Sequence, residues 1–266
     1  MRLSIDHRTM YRFSAPQERL VQMLRLTPEN THDQTIASWR IDVDCDARLR
    51  DGRDGFGNAI TMLYVEGPID GLAITVHGAV LTSHSSGVVQ GTNEPLPPAL
   101  FLRETAATPR DASIAEFARD VDAENSVLGR LHSINRVLND RFVLDIGRGE
   151  PMLDAATAFG RDSATARDLA QIFAVAARSL DIPARYVSGY RLAEGEHQPT
   201  PHGWAEAHVD GLGWIGFDPS TGQCPEEDHV RVAIALDAAG AAPVAGSRLG
   251  VGAEILDVDV VVSLDV

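Results

Sequence analysis

The chain has 266 residues, 44% hydrophobic and 23% charged, with a formal net charge of −15. That mixture can build one large or two medium cores, and its acidic excess argues against nucleic acid or an anionic lipid surface as a partner. Two cysteines, Cys45 and Cys224, do not make a disulfide framework, and the N-terminus has no apolar h-region. No run of about 18 apolar residues marks a membrane span, so a soluble, cytoplasmic protein is expected.

The first third reads as strands. Leu3, Ile5, His7, Thr9, Tyr11 and Phe13 share one face of an alternating run, and Trp39, Ile41, Val43 and Cys45 alternate likewise. Ile60 to Val65 and Leu72 to Leu81 are two further β runs, parted by the turn signal Gly67-Pro68-Ile69-Asp70-Gly71. Short strands at this spacing predict a β-sandwich over residues 1–90. His84 to Pro98, rich in Ser, Gly and Pro and without periodicity, is the expected linker.

Helices follow. Asp111 or Ser113 can cap a short one, and Leu128, Leu131, Ile134 and Leu138 form the apolar stripe of a second. A third is expected from about Thr165 to Leu180, with Leu169, Ile172, Phe173, Ala176 and Leu180 buried, and Asp181-Ile182-Pro183 ends it. Strands are predicted at about 184–191, 203–209 and 214–217, and Leu256, Val258, Val260 and Val262 alternate with acids in the tail. Helices followed by antiparallel strands make an α+β core, assigned to residues 91–266.

Four segments carry a resemblance. Ala164-Thr165-Ala166-Arg167-Asp168 opens the third helix, Ile182-Pro183-Ala184-Arg185-Tyr186-Val187-Ser188-Gly189-Tyr190 follows, then His202-Gly203-Trp204-Ala205-Glu206 and Asp218-Pro219-Ser220. In this order they resemble the bacterial transglutaminase-like superfamily, of papain-like thiol fold, which reads Gly-x-Cys-x-Asp, then His-Ala-Trp-x-Glu, then Asp-Pro-Thr. The β-rich first third, with Asp54-Gly55-Phe56-Gly57-Asn58, is similar to the N-terminal β domain of the bacterial members. The resemblance implies a β-sandwich followed by a core of helices on an antiparallel sheet. It also implies a Cys–His–Asp triad that hydrolyses or transfers amide bonds without a cofactor. His202 and Asp218 occupy two triad positions; the nucleophile position is Ala166.

A thiol at a helix start is activated by the free N–H groups and dipole there, and by a neighbouring His that an acid orients. A methyl group offers no such chemistry. Thr165, Ser163 and Cys224 are the substitutes within reach, and each is a weak one: Thr165 is rotated by about 100° on the helix, Ser163 is placed to cap, and Cys224 lies on a loop. Trp204 is a core residue that can also touch substrate. A metal is not expected: His202, Glu206 and His208 share a strand face, with His197 and His229 nearby in sequence, but His202 and His208 stand about 20 Å apart and cannot share an ion. Ala164 for Gly, Gln171 for His and Ser220 for Thr are further departures from the family pattern, and together they favour natural loss of the nucleophile over an exchange introduced into an active enzyme. The expectation is a pseudoenzyme whose cleft binds a peptide or an amide-bearing protein. An active amide hydrolase or transamidase and an inactive subunit paired with an active homologue are the alternatives. All 23 basic residues are Arg, so the chain offers no Lys amine of its own to such an enzyme.

Overall fold

The computed structural model describes residues 1–121, 126–147, 152–192 and 197–265. Its strands are β1 (Arg2–Leu24), β2 (Gln34–Val43), β3 (Ala47–Arg53), β4 (Ala59–Thr82), β5 (Val143–Leu144), β6 (Ser163–Ala164), β7 (Ala184–Arg191), β8 (His202–Val209), β9 (Gly213–Phe217), β10 (His229–Ala235), β11 (Val244–Leu249) and β12 (Glu254–Leu264). Its helices are α1 (Ala112–Asp120), α2 (Val127–Arg141), α3 (Ala155–Phe159) and α4 (Ala166–Ser179), with a 3₁₀ turn at Pro98–Leu102.

β1 and β4 are long antiparallel partners, broken only by register shifts between Arg12 and Arg19. β12 and β2 flank one half of this ribbon, and β11 and β3 flank the other. The irregularity bends the ribbon, and the two halves share one core: Tyr11, Leu72, Ile74 and Val76 from one meet Leu20, Leu24, Leu63 and Val65 from the other. The sandwich is thus a single sheet folded over. The turn expected at Gly67–Gly71 lies inside β4 instead. A Cβ on Gly67 would stand 2.1 Å from the Gln17 carbonyl oxygen, and one on Gly71 2.9 Å from that of Tyr11. These glycines permit close approach of two backbones at the bend, and the strand continues through them.

The tail crosses the expected boundary. β11 and β12, assigned from sequence to the core unit of residues 91–266, pair with β1 and complete the N-terminal sheet. Alternation in the tail marks a strand without naming its partner, because any half-buried edge satisfies a period of two.

The second sheet has the order β10-β7-β8-β9, all antiparallel. α4 is buried from Asp168 to Ala177, and it shares a core with Ala205, Ala207 and Phe217 of the sheet and with Leu131, Ile134 and Leu138 of α2. This is the α+β core. Leu3, Ile5, Val80, Val260 and Val262 of the first sheet pack on Tyr190, Val230, Val232 and Ala233 of the second. The Gln34 side-chain amide bonds both backbone groups of Arg231, at 3.0 and 2.8 Å. The two units are therefore joined by an apolar seam with a satisfied polar edge. No described helix is long and apolar enough to cross a membrane.

Candidate active site

The start of α4 is set by its own sequence. Thr165 is the N-cap; its hydroxyl accepts the Asp168 N–H at 3.2 Å, and Asp168 Oδ2 accepts the Thr165 N–H at 3.2 Å and its hydroxyl at 2.7 Å. This capping box fixes where the helix begins. Ala166 is its first residue, half-buried, at the position where a side chain meets free helical N–H groups.

β8 begins at His202, and the hairpin β8–β9 delivers Asp218 just past the end of β9. His202 Nε2 lies 2.7 Å from Asp218 Oδ2. A carboxylate only accepts, so Nε2 carries the proton; Nδ1 has no partner among the described residues. Ser220 donates its hydroxyl and its backbone N–H to Asp218 Oδ1, at 2.6 and 3.0 Å. β10 adds a residue the motifs did not suggest: His229 Nε2 stands 3.1 Å from the same Asp218 Oδ2, and its Nδ1 stands 2.7 Å from Asp228 Oδ1. Burial alone would raise the Asp218 pKa, but the His202 and His229 imidazoles outweigh it and hold the carboxyl far below the usual range. Burial would likewise lower that of His229, but Asp218 and Asp228 together raise it.

Ala166, Thr165, Arg167, His202, Tyr186 and Ser220 line one cleft of about 650 Å³. Its other wall is the first sheet, through His7, Thr9, Tyr11 and Val258. Residues 197–201, ahead of β8, close one side: Gln198 pairs with Val260 through two backbone hydrogen bonds of 2.8 and 2.9 Å, and His197 meets Asp259 at 2.8 Å. Leu144, Ile146 and Met152 form an exposed apolar rim. The cleft is thus built by both units, from elements at opposite ends of the chain.

The structure places Ala166 and His202 in the lining of one cleft, with Asp218 fully buried and bonded to His202. Trp204, a possible substrate contact from its motif, is 2% exposed and does not line the cleft. It packs behind the floor, with ring centroids 6.1 Å from His202 and 5.3 Å from His229, so it steadies the imidazoles from the rear. Glu206 lies in a separate cluster, where Arg185 and Arg231 clamp it. Thr165 uses its hydroxyl in the cap, and Ser163 is exposed on β6. Cys224 lies outside the cleft lining, and burial, with help from Glu226, pushes its thiol up to about 11. His208 points away to the Trp214 ring, 5.3 Å between centroids.

Residues 3–81 match the bacterial transglutaminase-like N-terminal region, and residues 115–219 match the transglutaminase-like superfamily core. The chain belongs to the transglutaminase-like superfamily. Its relatives include two uncharacterised mycobacterial proteins. ML0607 of Mycobacterium leprae is 24% identical over 281 aligned residues, which cover 97% of this chain and 96% of the relative. Rv2569c of Mycobacterium tuberculosis is also 24% identical, over 92% and 87% of the two chains. A solved protein of Cytophaga hutchinsonii, provisionally assigned as a cysteine protease, has the same fold: it superimposes with a TM-score of 0.79 at 19% identity, over 100% of this chain and 91% of its own. Within this transglutaminase-like fold, the N-terminal match ends at Leu81, one residue before β4 does, and the core match ends at Pro219, just past Asp218.

Proposed function

We propose that this transglutaminase-like protein is a pseudoenzyme that binds an extended peptide or an amide-bearing protein segment in its cleft without acylating itself. The observation that carries this reading is Ala166. It is the first residue of α4, it lines the cleft with His202, and its side chain has nothing to deprotonate. In hydrolytic triads, loss of the nucleophile lowers turnover on the order of 10⁶-fold. The His202–Asp218 pair then has no thiol to serve, and what the site retains is shape, an apolar rim and a helix start whose N–H groups favour a carbonyl oxygen or a negative charge. An extended peptide fits a cleft whose walls are strand faces, loops and the start of α4.

The test restores the missing atom. Ala166→Cys, treated with an iodoacetamide probe at neutral pH, is expected to label faster at 166 than at Cys224, and His202→Ala in the same background slows that labelling. Binding is read separately, by enrichment from a random peptide pool. Ala166→Trp, which fills the cleft from a half-buried helix position, should abolish the enrichment while leaving the circular dichroism spectrum intact. Amidase or transamidase turnover by the unaltered chain at the level of the Cys variant would overturn the pseudoenzyme reading, and enrichment that survives Ala166→Trp would overturn the binding site.

A further inference from the structure

The His202–Asp218 pair accounts for one imidazole, but the carboxylate faces two. His202 Nε2 at 2.7 Å and His229 Nε2 at 3.1 Å converge on the same oxygen, Asp218 Oδ2, and the three ligand atoms all lie within 4.8 Å of one another. All three residues are buried or nearly so: the side chains of Asp218, His229 and His202 are 0%, 5% and 10% exposed. Two histidines and one carboxylate, aimed at a common point, are the donor set of a borderline divalent metal ion.

We propose that His202, Asp218 and His229 form a binding site for a divalent transition-metal ion of the zinc type. The ion takes the place of the two imidazole protons that point at Oδ2. One of these leaves to solvent from His229, whose ring is thereby neutralised, and the other moves from Nε2 to Nδ1 of His202, so both ligand rings end neutral. Zinc binds imidazole nitrogen and carboxylate oxygen at about 2.0–2.2 Å, which sets its ligand atoms a little over about 3 Å apart in a tetrahedron. The two carboxylate–imidazole pairs, at 2.7 and 3.1 Å, need to spread by well under about 1 Å, and the two imidazole nitrogens, within 4.8 Å of each other, need to settle at the same spacing. Two of the three ligands, His229 and Asp218, already have outer hydrogen bonds of the kind that metal ligands use. Asp228 Oδ1 takes the Nδ1 proton of His229 at 2.7 Å, which fixes the tautomer that leaves Nε2 free to ligate. Arg191 holds Asp228 at 3.3 Å. Ser220 occupies Asp218 Oδ1 with both its N–H and its hydroxyl, so Oδ2 is the oxygen left for the ion. His202 and Ser220 line the cleft, which supplies a path of entry. The proposal does not depend on peptide binding, since Asp218 and His229 do not line the cleft that would hold the peptide.

The experiment uses the full chain, stripped with a chelator and titrated with zinc chloride. Calorimetry is expected to show one ion per chain with a dissociation constant in the micromolar range or below, and cobalt chloride should give the visible absorption of a four- or five-coordinate site. Two-bond ¹H–¹⁵N correlations should move the Nε2 signals of His202 and His229 and leave the other seven of the nine histidines in place. His229→Gln is expected to weaken binding at least 100-fold and Asp228→Asn 10- to 100-fold, whereas His84→Gln and His77→Gln, at exposed positions away from the cleft, leave it unchanged. Binding no tighter than millimolar, zinc shifts at other histidines, or affinity that survives His229→Gln would overturn the proposal. If His229→Gln does not fold, the imidazole signals of the unaltered chain decide the matter alone.

Discussion

Strand β8 carries two ionisable residues on one face, four positions apart, and they have opposite characters. Glu206 is fully buried between Arg185, at 2.6 Å, and Arg231, at 2.7 Å; Arg185 in turn grips Glu94 with two bonds of 2.6 and 2.9 Å and lies 3.8 Å above the Trp214 ring. Two acids meet two guanidiniums, and guanidinium cannot lose its proton. His202, at the start of the strand, belongs to a cluster of the same size, but its bases are imidazoles, which can. One end of β8 is a lock and the other a site that can exchange protons or metal. The cleft opens at the second end only.

The largest expected effect breaks that comparison directly. Glu206→Ala leaves Arg185 buried and charged with half its partners gone, which should destabilise the fold by about 3–5 kcal/mol. Asp218→Asn should cost less, about 1–3 kcal/mol, because His202 and His229 can give up protons where the arginines cannot. Urea unfolding of the two variants side by side measures both. Equal losses would mean that the imidazole cluster is as much a lock as the arginine one.

The second prediction concerns pH and His7, on the first-sheet wall of the cleft. Its ring is 2% exposed and held by Tyr190 at 2.9 Å and Thr9 at 3.1 Å. Burial lowers its pKa from the ordinary 6.5 to about 4, against a weak opposing pull from Asp259. The folded state therefore keeps His7 neutral while the unfolded chain protonates it below 6.5. Stability is full above 6.5, falls as pH drops, and levels off below about 4, a loss of about 3 kcal/mol. His7→Gln should flatten the stability curve between pH 6.5 and 4, measured by denaturant midpoints across that window. A slope unchanged by the variant would assign it to other groups.

Third in size is Gly203. Its position faces Tyr186: a Cβ there would sit 2.0 Å from the Tyr186 hydroxyl and 2.7 Å from its ring carbon. Gly203→Ala should cost about 1–3 kcal/mol through overpacking. Adding Tyr186→Phe removes the nearer clash and should recover part of that loss, since the ring still crowds the methyl. Full recovery would mean that the hydroxyl alone fills the space.

The strand faces, the α2 stripe, the extent of α4 and the His202–Asp218 hairpin were legible because each rests on local periodicity or on a motif. The partners of β11 and β12 were not, since alternation specifies a face and says nothing of which strand lies beside it. α3 was missed because five residues are too few to show a helical period, and β10 because Val230 to Ala235 is apolar almost throughout and so does not alternate. That omission hid His229. Its contact with Asp218 spans 11 residues and a change of strand, and no spacing rule links the two. The bend in β4 failed for a different reason: Gly-Pro-x-x-Gly is a turn signal, and here tertiary contact with β1 overrides it.

The smallest prediction tests the other half of the site, the helix start. Asp168 occupies the position of the Asp in the family's Gly-x-Cys-x-Asp pattern, and the structure gives it a purely local task, closing the capping box with Thr165. Thr165→Ala should therefore cost about 1 kcal/mol, a drop of about 2–4 °C in the melting temperature of a chain this long. The same substitution in the Ala166→Cys background asks what the box is for. If it only stabilises α4, the loss of stability is the same in both backgrounds and labelling at 166 is unchanged. If it also holds residue 166 among the free N–H groups, labelling slows as well, because a frayed first turn no longer favours the thiolate. The second outcome would mean that the helix start keeps the geometry of a nucleophile site although its first residue is alanine.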